Sequence, residues 1–153
     1  MLIRFYFFIL LCGTLTECHT SQCEYSDGLK LYFKQNFKMD LTLSEGVKHY
    51  YFIPIESCEV CINRNLQFLS QLKSKRLIVI FVGKNPNESW KEMIAQIRKN
   101  LNTLNDPDKK VYRYETGLSK PLLVSTEGGT CISSRTVDES EMVDVFYPLR
   151  LDD

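Results

Sequence analysis

The residues best suited to chemistry are two cysteines separated by two residues, in the stretch Cys58-Glu59-Val60-Cys61. A thiolate attacks a disulfide to form a mixed disulfide, and a second thiol close by can then displace the partner. The spacing therefore predicts thiol–disulfide exchange, with Cys58 as the attacking nucleophile and Cys61 as the resolving residue. No dissociable cofactor is implied, because the dithiol itself carries the two electrons.

The sequence on either side of this pair predicts that it opens a helix. Residues 49–55 are aromatic and β-branched, which is typical of a buried strand, and apolar residues recur from Ile62 to Leu69 at spacings of 4 and 3, which predict an amphipathic helix. A cysteine at the start of a helix faces unsatisfied N–H groups and the positive end of the dipole. We therefore expect a lowered pKa for Cys58 and a more shielded Cys61 one turn later.

Three other interpretations of the pair stay open at this stage. A structural zinc site needs four ligands, and the remaining candidates are His49, Cys131 and the N-terminal cysteines, without a second paired spacing. The pair could also be a static disulfide or an inactive relic of the fold. A peroxidase would need a polar pocket with threonine and arginine, and only Arg64 is near in sequence.

The composition limits the class of protein and of partner. The chain has 153 residues, which favours one domain, and its 44% hydrophobic and 25% charged residues are ordinary for a globular protein. The 19 basic and 19 acidic residues balance, so there is no net charge to attract nucleic acid, and we expect no nucleic-acid partner.

The rest of the chain predicts alternating strands and helices. Residues 29–37 could form a strand or a short helix, and the uninterrupted apolar run 76–83 predicts a central strand. A helix capped by Asn87 is predicted to carry its apolar face through Trp90, Ile94, Ile97, Leu101 and Leu104.

A hairpin and a last helix are predicted beyond a break at residues 105–108. Residues 111–114 read as a short strand, and residues 121–125 and 130–137 as a hairpin around Gly128 and Gly129. Asp138 and Glu141 resemble a capping box that opens the final helix. The order predicts an α/β fold, with a mixed central sheet and helices on both faces.

The N-terminus predicts export. Arg4 and the apolar run 5–13 fit a secretory signal peptide over residues 1–17, since the run is shorter than the roughly 20 residues that span a bilayer. Leu15-Thr16-Glu17-Cys18 resembles a loose bacterial lipobox, in which Cys18 would be lipidated, although Glu17 departs from it. Ordinary cleavage, for example after Thr20, stays open. We expect a tether over residues 18–28, a domain over residues 29–153, and membrane contact through a lipid anchor only.

Two further cysteines lie outside the motif and the signal peptide. Cys23 falls in the predicted tether and Cys131 in the predicted hairpin. Cys131 is expected either to be buried as a small apolar residue or to pair with Cys23, because an exported compartment permits disulfides.

Residues 47–147 resemble the thioredoxin-like fold, and most of all the exported, membrane-anchored thiol–disulfide oxidoreductases and redoxin-type lipoproteins of bacteria. The resemblance is carried by the Cys58–Cys61 motif, by Pro121 after Gly117-Leu118-Ser119-Lys120, and by the hairpin that follows. It implies a three-layer sandwich, a cis Lys120–Pro121 bond and a backbone there that docks the substrate chain. It also implies a client protein and a separate redox partner.

The chain departs from that family at three positions near the motif. Ser57 replaces a common tryptophan, Val60 replaces a common proline, and Phe52 replaces a buried carboxylate. These changes leave open the redox potential, the proton path and the direction of transfer.

The second hypothesis for the function is a non-catalytic thioredoxin-like binding or structural lipoprotein. Under both hypotheses we expect the protein to be exported, either as a membrane-anchored lipoprotein that faces the periplasm or in a secreted form.

Overall fold

A computed structural model describes residues 23, 26–84, 86–114 and 118–150. The predicted signal peptide and Cys18 lie outside these residues. The longer elements, in chain order, are α1 (Ser26–Phe37), β1 (Val47–Pro54), α2 (Glu59–Leu69), β2 (Ser74–Val82), α3 (Lys91–Asn100), β3 (Leu101–Asp106), β4 (Leu122–Glu127), β5 (Thr130–Thr136) and α4 (Met142–Arg150). Short 3₁₀ turns occupy Leu41–Leu43, Glu88–Trp90, Lys110–Tyr114 and Glu139–Glu141.

The strands form one mixed sheet in the order β3-β2-β1-β4-β5. β1 is central; it runs parallel to β2 and antiparallel to β4. β3 is parallel to β2, and the β4–β5 hairpin is antiparallel. The predicted mixed sheet and closing hairpin are confirmed.

The two faces of the sheet bury alternate residues of each strand, as the period of a strand requires. Tyr51 and Ile53 pack with apolar side chains of α2, α3 and α4. Tyr50 and Phe52 pack on the other face with the buried side of α1. Helices therefore cover both faces of the sheet, and the predicted thioredoxin-like, three-layer α/β fold is confirmed.

Helix α1 begins within the segment that the sequence predicts as a tether. It starts at Ser26, so residues 26–28 belong to the domain, and Asp27 lies favourably in its first turn. Any side chain at Gly28 would collide with the carbonyl group of Tyr114. The glycine that looks like part of a linker therefore lets the helix pack closely.

The predicted continuation of α3 through Leu101 and Leu104 is wrong. The helix ends at Asn100, and residues 101–106 form strand β3, which pairs with β2 alone at the edge of the sheet. Strand β3 needs no continuous apolar run, because only its first and last side chains are buried and the four between them are exposed or half-buried. The two leucines keep helical spacing by coincidence, while the asparagines around them have low helix propensity.

Residues 111–114 are also not the predicted strand but part of a 3₁₀ turn. The carboxylate of Asp106 accepts hydrogen bonds from the N–H groups of Lys110 at 2.9 Å and Val111 at 2.8 Å. Asp106 also accepts the hydroxyl of Tyr32 at 3.1 Å. This buried carboxylate turns the chain after β3 and ties the turn to α1.

No helix among the described residues is both long and apolar enough to cross a bilayer.

Two predictions about single residues are also confirmed. Trp90 is buried in the core, and His49 is a strand residue whose Nδ1 lies 2.9 Å from the hydroxyl of Ser125.

Candidate active site, a dithiol at the end of the central strand

The central strand delivers Cys58 directly to the start of α2. After β1 ends, the N–H of Ser57 donates to the carbonyl of Pro54, and this turn redirects the chain. Cys58 is the N-cap residue, and its Sγ accepts the N–H of Cys61 at 3.5 Å. The thiol thus occupies the position where serine or aspartate commonly caps a helix.

The two sulfur atoms differ in exposure and in acidity. Cys58 is exposed, Cys61 is half-buried, and both are free thiols. Hydrogen bonds from the thiol and the N–H of Cys61 lower the pKa of Cys58, because they stabilise its thiolate. The hydrogen bond to Cys58, followed by burial, raises the pKa of Cys61. Cys58 is thus the more accessible and the more acidic thiol, and the attacking and resolving roles stay predictions.

A chain of hydrogen bonds connects the first turn of α2 to the sheet beneath the helix. Asn65 is buried, and its Nδ2 donates to the carbonyl of Cys61 at 2.8 Å. The hydroxyl of Tyr51, from the central strand, donates to Oδ1 of Asn65 through a short contact. The turn that carries Cys61 is therefore tied to the central strand of the sheet.

The dithiol opens into a cleft of about 470 Å³. One wall is the start of α2, and the other is formed by the loop before β4 and the segment after β5. The lining residues besides the two cysteines include Ser57, Asn65, Ser119, Lys120, Pro121 and Glu139. The structure therefore brings all four described candidate residues, Cys58, Cys61, Lys120 and Pro121, to one site.

The predicted cis bond between Lys120 and Pro121 is wrong. The described residues contain no cis peptide bond, so this bond is trans, the isomer that X–Pro bonds prefer. The carbonyl of Pro121 accepts the N–H of Val137 at 2.9 Å, which continues the β4–β5 pairing by one residue. The proline faces the dithiol in the cleft, as expected, but without the predicted geometry.

Charged residues near the motif are engaged in different ways. Glu59 accepts the amide of Asn87 at 2.7 Å, and Glu56 pairs with Lys109, so both carboxylates are used elsewhere. Arg64, the residue weighed for a peroxidase pocket, pairs with Glu139 at 2.6 Å. Among the described residues, no three histidine, cysteine or acidic side chains form a metal-binding group.

Cys23 and Cys131 form a disulfide, which is the second of the two alternatives for Cys131. Their Cα atoms are 5.9 Å apart, and the bond joins residues separated by 108 positions. Cys131 pairs with Thr126 in the hairpin, whose turn lies beside Val47, at the opposite end of β1 from the dithiol. The two cysteine pairs therefore lie towards opposite ends of β1, a strand of eight residues that spans about 23 Å.

Sequence reasoning missed Asn65 and Glu139 as residues of the site. Asn65 lies one turn after Cys61, and a polar residue on the apolar face of a helix was a usable signal. Glu139 is about 80 residues from the motif. The predicted hairpin could have located Glu139. Leu122, at the start of β4, pairs with Phe52 on one side and with Thr136 on the other, so the chain after β5 lies at the same end of the sheet as the dithiol.

No protein-family model matches this chain, and no curated protein matches it. Two solved structures that are similar to it are the exposed lipoprotein thioredoxin Etrx1 of Streptococcus pneumoniae and a secreted disulfide oxidoreductase of Mycobacterium tuberculosis, homologous to Escherichia coli DsbE. The first is 15% identical, with a TM-score of 0.46 over 71% of this chain and 90% of the other. The second is 14% identical, with a TM-score of 0.46 over 71% of this chain and 85% of the other.

Proposed function

We propose that this protein exchanges thiols and disulfides with client proteins outside the cytoplasm. The observation that carries the proposal is the position of Cys58, exposed at the N-cap of α2, acidified by Cys61 and open to a cleft. A nucleophilic cysteine needs both a stabilised thiolate and access, and Cys58 has both.

In the reducing direction the exchange takes two steps. The Cys58 thiolate attacks a sulfur of the client disulfide, so a mixed disulfide forms and one client thiolate leaves. Cys61 then attacks Cys58, which forms the Cys58–Cys61 disulfide and releases the second client thiolate. The half-buried Cys61 is shielded from external disulfides yet lies one helical turn from Cys58. The reverse sequence oxidises a client dithiol.

The client chain is proposed to lie against the loop before β4. This loop forms the wall opposite the dithiol, and because the Pro121 carbonyl is engaged by Val137, we assign docking to the backbone of Ser119 and Lys120. A separate redox partner would return the dithiol to its starting state. The dithiol carries the electrons, so no other cofactor is required.

The location outside the cytoplasm rests on two observations. The first 17 residues fit a signal peptide, with Cys18 as the proposed lipid anchor. The Cys23–Cys131 disulfide suits an oxidising compartment. We propose a membrane-anchored lipoprotein, without nucleic-acid partners.

Insulin reduction with dithiothreitol tests the activity. The wild-type protein is expected to accelerate insulin precipitation, and Cys58→Ser is expected to lower the rate to that of dithiothreitol alone. Equal rates for both proteins would favour the non-catalytic binding or structural role. The midpoint potential of the Cys58–Cys61 couple would give the direction of electron transfer. A value of about −270 mV indicates a reductant, and a value of about −120 mV indicates an oxidant.

A further inference from the structure

The resolving step requires a proton acceptor for Cys61. Its thiol must become a thiolate before it can attack, yet the surroundings raise its pKa. In the free dithiol, the neighbouring Cys58 sulfur can accept the Cys61 proton. Once Cys58 is bound in a mixed disulfide it carries no charge, so another group must do so.

Two carboxylates line the cleft beside the sulfurs, Asp138 and Glu139. Asp138 pairs with Lys120 at 3.3 Å on the exposed rim, and its side chain is 61% exposed. In Glu139, one oxygen is held by Arg64, while the other, Oε2, is buried without a hydrogen-bond partner among the described residues. A buried carboxylate oxygen without a donor is costly, which makes Oε2 the stronger candidate.

The ion pair with Arg64 holds the Glu139 carboxylate over the first turn of α2. Arg64 lies three residues after Cys61, so the two side chains project from neighbouring positions on the helix surface. The negative charge of Glu139 acts on both sulfurs: it partly offsets the lowering of the Cys58 pKa and is one of the lesser causes that raise the Cys61 pKa. The carboxylate lines the same cleft as the two sulfurs, so its charge influences the ionisation of the dithiol.

We propose that Glu139 accepts the proton of Cys61 during resolution, an assignment that rests on the proposed function. The Cys61 S–H bond breaks and its proton passes to Oε2 of Glu139. The Cys61 thiolate forms the bond to Cys58, and the bond between Cys58 and the client sulfur breaks. The electron pair leaves with the client thiolate, and Glu139 returns its proton to that thiolate or to water.

The groups around this carboxylate carry charges of both signs. Arg64 on α2 is its positively charged ion-pair partner, and the Cys58 thiolate is a negative charge in the free dithiol. The Asp138–Lys120 pair adds opposite charges that nearly cancel at the rim. Mixed-disulfide formation removes the Cys58 charge, whereas the ion pair between Arg64 and Glu139 does not involve either sulfur.

Single-turnover reaction with 5,5′-dithiobis(2-nitrobenzoate) separates the two steps. Attack by Cys58 releases the first thionitrobenzoate, and attack by Cys61 releases the second. In a full chain with Cys12→Ser and Cys18→Ser, Glu139→Gln is expected to slow the second release about 10²-fold at pH 7, at the lower end of general-base effects. The first release should be unchanged or slightly faster, because a negative charge near Cys58 is lost.

The pH profile distinguishes proton transfer from a structural role. For Glu139→Gln, the second rate should rise about tenfold per pH unit until Cys61 ionises. The wild-type rate should be flatter, and Glu139→Asp should restore part of it. The control Glu88→Gln removes an exposed carboxylate outside the cleft that pairs with Lys91, so its second rate should follow the wild type.

Two results would overturn the assignment of Glu139. One is a second release in Glu139→Gln that equals the wild type at every pH, and the other is a slower release with an unchanged pH profile. Failure of the proposed function has a different signature. In that case the wild type would release its first thionitrobenzoate no faster than Cys58→Ser, whose remaining free thiol is Cys61.

Discussion

The two cysteine pairs of this protein lie at opposite ends of one sheet and differ in almost every physical respect. Cys58 and Cys61 are free thiols at a helix start, whereas Cys23 and Cys131 are joined by a disulfide across 108 positions. In the chain-entropy model, a bond across four residues stabilises the fold by about 2 kcal/mol, and one across about 100 residues by about 4.7 kcal/mol. The local pair can therefore open and close at little cost to the fold, and the distant pair cannot.

The comparison separates a redox pair from a structural pair by their surroundings. The dithiol end has an open cleft and hydrogen bonds that favour one thiolate. The hairpin end ties the segment before α1 to the edge strand β5. Cysteine chemistry thus follows from loop length and local electrostatics, and not from the presence of two thiols alone.

Removal of the distant pair should have the largest effect on stability. Cys23→Ser combined with Cys131→Ser is expected to lower the free energy of unfolding by about 4 kcal/mol in urea titrations under non-reducing conditions. The matched control, Cys58→Ser with Cys61→Ser, should lie within about 2 kcal/mol of the wild type, which is the contribution expected of a disulfide across four residues. Equal losses in the two double variants would remove the distinction between the pairs.

Alkylation by iodoacetamide should sharpen the contrast within the dithiol itself. The pKa of Cys58 is lowered and that of Cys61 is raised, so Cys58 should react at least about tenfold faster at pH 7, read by peptide mass spectrometry. As the pH falls, Cys61 should lose reactivity first. In Cys61→Ala, the pKa of Cys58 should rise towards an ordinary thiol value, because its main hydrogen-bond donor is gone. A Cys58 profile unchanged by that substitution would mean that Cys61 does not acidify it.

The support beneath the dithiol should give the smallest effect. Tyr51→Phe removes the hydroxyl that donates to Asn65 and leaves a buried acceptor without that donor, so we expect a loss of about 1 to 2 kcal/mol in the free energy of unfolding. Tyr147→Phe, at a tyrosine that is 56% exposed, is the matched control and should change stability by less than about 0.5 kcal/mol. If the two variants lost the same stability, the hydroxyl of Tyr51 would have no special role.

Local patterns in the sequence predicted the dithiol end well. The motif, the strand before it and the helix after it are neighbours in the chain, and the β4–β5 hairpin is equally local. Contacts between distant segments were harder. The pairing of Cys23 stayed one of two alternatives, and Glu139 reaches the site only through the return of β5 along the sheet.

The errors in the fold share a physical origin. At residues 101–104, helical spacing of leucines coincides with an edge strand, because only pairing with β2 distinguishes the two. At residues 110–114, the side chain of Asp106 turns the backbone, which an alternating pattern cannot reveal. The cis bond implied by resemblance is trans in this chain.

The central claim is that Cys58 attacks the client and Cys61 releases it, and trapping tests it most directly. A Cys61→Ser variant exposed to a disulfide-containing client peptide should accumulate a mixed disulfide at Cys58, identified by non-reducing peptide mass spectrometry. Cys58→Ser should trap far less, because Cys61 is half-buried and its thiol is less acidic. Mixed disulfides in equal amount on Cys61, or none on either cysteine, would contradict the account.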